Sequence, residues 1–226
     1  MGSRGPKKII ILTILFFVGL QLTYAQQPHS WFYENEADLS VPLNSLWSME
    51  IGVGNRGMLQ ERLDGEKISG YQHDHVELNH FTNYKTKKSV VLSLGLRYRF
   101  RELFDSAETD EFRIIEQVEL EPVNSSFSHR FRLEQRFREN TIHRVRYDIT
   151  YSIPMNENFA LGVGTEALYA VSSKQKPEAE QRFSIGLENS FFENLELELA
   201  FEYRMENYAR DLAHEFFVIT GVSVSL

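Results

Sequence analysis

The sequence predicts an all-β protein, an antiparallel up-and-down transmembrane β-barrel of about 10–12 strands. Three observations carry this expectation. Polar and apolar residues alternate with period two through most of the chain, which gives each strand two unlike faces. Turn signals recur roughly every 10 residues, and no helix of ordinary length competes. Connections also alternate in size: short ones fall around Pro42, Lys85, Asn124, Pro154 and Asn194, with mostly longer polar ones between, the tight turn after Arg138 excepted. Outer-membrane barrels show this asymmetry, with short turns at one end and longer loops at the other.

The clearest alternation is the arginine-rich hairpin of residues 129–153. Arg130, Arg132, Glu134, Arg136 and Arg138 share one face and Phe131, Leu133 and Phe137 the other. After a turn at 139–142, Arg144, Arg146, Asp148, Thr150 and Ser152 oppose Val145, Tyr147, Ile149, Tyr151 and Ile153. Arginines at this density must meet water or carboxylates, so the apolar face has to find a non-aqueous partner.

Taken in order, residues 1–25 read as a secretory signal peptide: Arg4, Lys7 and Lys8 precede an apolar run from Ile9 to Leu22, and Thr23-Tyr24-Ala25 offers the cleavage site. That run is shorter than the ~20 residues a spanning helix needs. Residues 26–226 are then one barrel domain. Strands are expected at 30–40, 47–56 and 71–81, with the polar stretch 59–70 a loop. The segment 90–101 has the cleanest apolar face, Val90, Leu92, Leu94, Leu96, Tyr98 and Phe100, opposite Ser93, Gly95, Arg97, Arg99 and Arg101. A loop at 102–109 leads to a strand at 110–120, and a turn at 121–125 leads to the hairpin. Beyond Pro154, strands are expected at 159–169, 182–188, 195–204 and 216–226, with polar loops at 170–180 and 205–212. The count is near eleven, whereas bacterial single-chain barrels have even numbers. Either the first segment lies partly in the lumen or one strand is mis-split.

Composition excludes several classes. Asp+Glu number 32 against 24 Lys+Arg, three of the latter in the leader, so nucleic acid is not an expected partner. There is no cysteine, hence no disulfide framework and no thiolate chemistry. No Gly-x-Ser-x-Gly elbow, His-Glu-x-x-His or phosphate loop is present. An enzyme acting on lipid or envelope substrate would have to assemble its site from scattered rim residues such as His129, His143 and Ser152. Catalytic residues are therefore unassigned and no cofactor is expected. The location expected is the cell outer membrane, with its lipid and, during biogenesis, the barrel-assembly machinery as partners.

Alternation alone leaves open which face points inward. The leader, the aromatics near strand ends (Trp47, Tyr98, Phe100, Tyr151, Tyr169, Tyr203) and the charge density of the polar face favour lipid outside. The lumen would then hold a charge ladder of Arg97, Arg99, Glu111, Arg113, Glu119, Arg130, Arg132, Glu134, Arg136, Arg144, Arg146 and Glu166, with guanidinium forks and carboxylates on neighbouring strands. Such ladders either pack a narrow lumen or make a selective pore or anion-binding interior. His73-x-His75-x-Glu77 places three possible metal ligands on one face, a short pattern that solvated rim histidines would also give.

The Trp31 entry strand, the Glu111-x-Arg113 pair, the Arg-Leu-Glu-Gln-Arg block at 132–136, the Arg-x-Arg-Tyr at 144–147 and the Pro154 turn followed by Glu166 resemble the bacterial outer-membrane-type family catalogued as a domain of unknown function. The resemblance covers nearly all of the chain beyond the leader. It implies a barrel and brings no catalytic residues. One departure is the terminal Leu226, where outer-membrane proteins usually carry Phe.

Overall fold

The computed structural model describes residues 29–63, 66–86, 89–101, 108–122 and 125–226. The expected leader, the loop at 102–107 and the turn residues 123–124 lie outside them. Among the described residues the chain is all strand and turn: β1 (His29–Pro42), β2 (Trp47–Leu63), β3 (Glu66–Ser69), β4 (Gln72–Lys85), β5 (Val90–Phe100), β6 (Glu111–Leu120), β7 (Phe127–Phe137), β8 (Thr141–Pro154), β9 (Phe159–Ser172), β10 (Glu178–Phe192), β11 (Leu195–Glu206) and β12 (Ala213–Ser225). In β5 the alternation sends Leu92, Leu94 and Leu96 outward and Ser93, Gly95, Arg97 and Arg99 inward, leaving Leu94 55% exposed and Ser93 9%.

Each strand pairs with the next, and β1 closes the sheet by pairing with both β2 and β12. The four-residue β3 lies along the same edge of β2 as β4, so these two are one interrupted strand and the wall has eleven members. The antiparallel meander expected from the sequence holds for every neighbouring pair in the wall except one. β1 and β12 run parallel, His29 beside His214 through Ser40 beside Ser225. An odd wall must contain one parallel pair, so neither repair suggested by the parity rule is needed. The first segment is a full member of the wall. Following the register once round displaces the path along β1 by about 14 residues, a stagger that makes the strands tilt steeply about the axis.

Parallel pairs are slightly less stable per residue than antiparallel ones, and here the seam carries aromatic clamps on both sides. Outside, Trp31 stacks on its register partner Phe216 at 4.8 Å. Inside, Phe32 stacks on Phe217, also at 4.8 Å, and Phe217 has no exposure. Thr220 Oγ1 donates to Asn35 Oδ1 at 2.7 Å across the same seam.

The connections at the two ends are built differently. Two of the short turns share a Pro-x-Asn-x-x-aromatic pattern, Pro42 to Trp47 and Pro154 to Phe159. In the first, Asn44 Oδ1 accepts the N–H groups of Leu46 and Trp47; in the second, Asn156 Oδ1 accepts those of Asn158 and Phe159. An Asn side chain that captures backbone donors in this way fixes a tight reversal. The β10–β11 turn uses Asn194 at φ 61°, a left-handed conformation that Asn tolerates. At the opposite end the expected loop 59–70 is instead a ribbon: β2 continues to Leu63 and pairs with β3. There β2 pairs with β1 on one side and β3 on the other, and backbone pairing of this kind needs no apolar face, so the polar composition masked it. The 170–180 loop likewise narrows to residues 173–177 as β9 and β10 extend. Within the wall, Phe81 lies across Gly95 of β5, where any Cβ would collide with the ring.

Ala37 and Val222 are register partners across the parallel seam. Because the chain has no cysteine, an Ala37→Cys/Val222→Cys variant tests closure directly. A short bifunctional thiol crosslinker should tie the two positions and change gel mobility without a second copy. Failure there, with success at the β1–β2 pair Ala37/Val53, would mean that β1 and β12 do not meet as described.

Candidate functional site in the barrel interior

The barrel is apolar outside and charged inside. Glu77, Glu111 and Glu134 are each 1% exposed, whereas Val145 and Leu199 on outward faces are more than half exposed. The strands that form the wall fix this arrangement, since one residue of register slip would exchange the two faces of a strand.

Buried carboxylates survive only when paired, and here they are held mostly between neighbouring strands. On β4, Glu77 accepts hydrogen bonds from Arg99 of β5 and is ion-paired with Arg97 of the same strand, each at 2.8 Å. On β6, Glu111 accepts Arg113 of its own strand and Arg136 of β7 at 2.7 Å, with Arg138 at 3.5 Å. Glu134 of β7 meets Arg146 at 2.9 Å and Arg144 at 3.6 Å, both from β8. Arg146 also binds Glu166 of β9 through two nitrogens, at 2.8 and 3.0 Å. Glu166 passes to Arg182 of β10 at 3.4 Å, and Arg182 to Glu180 at 2.6 Å and Glu202 of β11 at 3.9 Å. Arg204 joins Glu202 at 2.5 Å and Glu34 of β1 at 3.5 Å, and Glu34 joins Arg56 of β2 at 2.8 Å. The pairs form a girdle around most of the interior. At the seam, Phe217 sits beneath the Arg204 guanidinium, 3.5 Å from the ring centre, with Arg56 at 4.9 Å. That stacking adds cation–π attraction where the closure is parallel.

Of the residues expected to form the charge ladder, the structure brings Arg97, Arg99, Glu111, Arg113, Arg130, Arg132, Glu134, Arg136, Arg144, Arg146 and Glu166 into this ion-pair system. Glu119 sits inside it differently, taking a hydrogen bond from Gln117 at 2.8 Å. The other half of the girdle, Glu34, Arg56, Glu180, Arg182, Glu202 and Arg204, was not singled out by the sequence. Those residues obey the same alternation and mostly pair between successive strands, as Arg182 does with Glu166 and Glu202; only the Arg204–Glu34 pair needed the knowledge that β1 joins β12. Glu34 in particular reads as a hydrated face until the seam brings Arg204 beside it.

Beyond the girdle, toward the short-turn end, small residues replace long ones. A chamber of about 360 Å³ there is lined by Ser128, Thr150, Gly162, Ser184 and Gly186 together with Glu119, Asp148, Glu188 and Glu198. A second chamber of about 450 Å³ lies against the girdle, where eleven arginines reach its surface.

Of the possible metal ligands, His75 and Glu77 are engaged with neighbouring charges, while His73 Nε2 is buried without a hydrogen-bond partner. His75 Nδ1 lies 3.0 Å from Asp74 and its Nε2 3.5 Å from Glu77, whose oxygens face arginines. Among the described residues no group of three His, Cys, Asp or Glu side chains is arranged to hold a metal ion. The scattered enzymatic candidates do not converge either. Ser152 shares the inward parity of Arg144 and Arg146, while His129 and His143 alternate outward, and His129 Nδ1 is bonded to Tyr147 at 2.9 Å.

Fold and interior together define a closed β-barrel filled by guanidinium–carboxylate pairs. The chain belongs to the family described as "Protein of unknown function (DUF2490)", which matches residues 35–214. No curated protein matches it.

Glu134 accepts a hydrogen bond from Arg146 and is the carboxylate that Arg132 and Arg144 also face, so its removal strands buried charge. Glu134→Ala should destabilise by about 3–5 kcal/mol, less where water can enter. Glu188→Ala, which removes an inward carboxylate that forms no ion pair among the described residues, should change stability by about 0.5 kcal/mol or less. Thermal unfolding of the two variants measures the contrast, and equal effects would contradict the role given to the girdle.

Proposed function

We propose that this protein is an outer-membrane β-barrel with an occluded interior, serving as a binding or structural barrel and not as an open pore. One observation carries the reading: the apolar side chains lie on the outside of a closed wall while carboxylates and arginines fill the inside. A soluble protein rarely exposes so continuous an apolar surface. Lipid accepts it, and closure leaves no unpaired strand edge within the hydrocarbon. Aromatic side chains at strand ends, including the Trp47–Tyr84 and Phe127–Tyr151 contacts, suit a membrane interface. The secretory leader expected at residues 1–25 is consistent with delivery to the envelope.

Occlusion is supported by the girdle. Its arginines and carboxylates are engaged with each other across the interior, together with the wholly buried Ile115 and Phe217. A conducting lumen would need those groups hydrated and separated. The long arginine and glutamate side chains divide the interior, leaving separate chambers of about 360 and 450 Å³ in place of a through channel.

The mature protein should fractionate with the outer membrane and run faster on a gel before boiling than after. In liposomes it should leak neither ions nor small sugars; a steady conductance would replace occlusion with a pore. The orientation of the faces has its own test. Glu116 points outward between Leu94 and Leu133, so Glu116→Leu should raise stability in a bilayer and Leu133→Ala should cost little. If Leu133→Ala instead loses about 2–5 kcal/mol, the value for a packed core leucine, the apolar face is not lipid-exposed.

A further inference from the structure

The arginines of the girdle are unevenly supplied with partners. On the wall made by β6, β7 and β8, Arg113, Arg132, Arg144 and Arg146 surround one carboxylate, Glu134. Arg146 is well served, bonding both Glu134 and Glu166. The other three are not. Arg132 and Arg144 stand 3.8 and 3.6 Å from Glu134, beyond hydrogen-bond length; Arg132 donates its Nε to Gln117 Oε1 at 2.7 Å, which leaves its terminal nitrogens to spare, and Arg144 Nε is buried with no hydrogen-bond partner. Arg113 uses its Nε on Glu111, a carboxylate that already serves Arg136 and Arg138. All three reach the 450 Å³ chamber. Its other walls carry Glu34 and Glu36 of β1, Glu178 and Glu180 of β10 and Glu198, Glu202 and Glu206 of β11, and among the described residues none of these forms an ion pair with the three arginines.

Three guanidinium groups with spare donors, converging on a space large enough for a small solute, are what a tetrahedral oxyanion requires. A doubly charged oxyanion would satisfy donors that Glu134 alone leaves short, and planar guanidinium forks recognise such oxygens in pairs. We propose that the chamber binds a small free oxyanion of the phosphate class on Arg113, Arg132 and Arg144. The site rests on the occluded-barrel reading above, since an open aqueous lumen would hydrate these arginines. Its position within the wall excludes a phosphate still attached to a lipid anchor. Arg101 and Arg138 lie just beyond β5 and β7, at the end of the barrel opposite the short turns.

The full-length barrel in detergent, titrated with inorganic phosphate against chloride at constant ionic strength, tests this. One saturable site and a higher melting temperature in phosphate are expected, because a ligand that binds only the folded state stabilises it. Arg132→Gln and Arg144→Gln should each weaken binding about tenfold or more, the loss of a charge-assisted contact. Glu134→Gln removes the competing carboxylate, so it should bind phosphate more tightly than the parent even while melting lower in chloride. That opposite sign would not follow from a structural role alone. Absence of saturable phosphate binding, or unchanged affinity in both arginine variants, overturns the site. Heat-dependent gel mobility in chloride reports the barrel separately, so loss of the anion site and loss of the barrel reading cannot be confused.

Discussion

Pairing between guanidinium and carboxylate groups on neighbouring strands is the interaction on which the rest of this structure depends. A carboxylate buried to 1% exposure is costly unless it is met by opposite charge and hydrogen bonds. The meander supplies those partners by register: Glu134 lies beside Arg144, and Arg182 beside Glu166. Each arginine that bridges two carboxylates also links two strands, as Arg146 does between β7 and β9. The interior therefore holds the wall in register as well as filling it. This dependence makes the barrel sensitive to loss of a single acid and tolerant of changes on its outer apolar face.

Closure places a second constraint on the same network. An odd number of strands obliges one parallel contact, and the chain strengthens it from both sides with Trp31–Phe216 outside and Phe32–Phe217 inside. Arg204 connects the two constraints, lying over the Phe217 ring while its guanidinium reaches Glu34 on the far side of β12. Ion pairing thus crosses the seam where backbone pairing is weakest.

Much of this was legible in the sequence because period two is a direct record of a two-faced strand. The 90–100 segment and the hairpin around Glu134 could be placed, face by face, without coordinates. What could not be read was anything that depends on how the ends of the sheet meet. Glu34 and Arg204 are 170 positions apart and carry no local sign of their contact. The ribbon of β2 and β3 was hidden for another reason: its pairing is carried by the backbone of a mostly polar stretch, which leaves no clean apolar alternation. The short connections at Pro42 and Pro154 were legible from their composition, whereas the Asn-centred hydrogen bonding that tightens both emerges only from the structure.

The parallel seam also determines how this fold can be rearranged. In a barrel with an even wall, the start of the first strand and the end of the last emerge at the same mouth, so a short linker can join them and new ends can be cut elsewhere. Here β1 begins at one mouth and β12 finishes at the other. A joining linker would have to traverse the wall's full height, on the order of 30 Å or ten extended residues, through an interior already occupied by ion pairs. Circular permutation, tolerated by many β-barrels, is closed to this one by the parity of its strands.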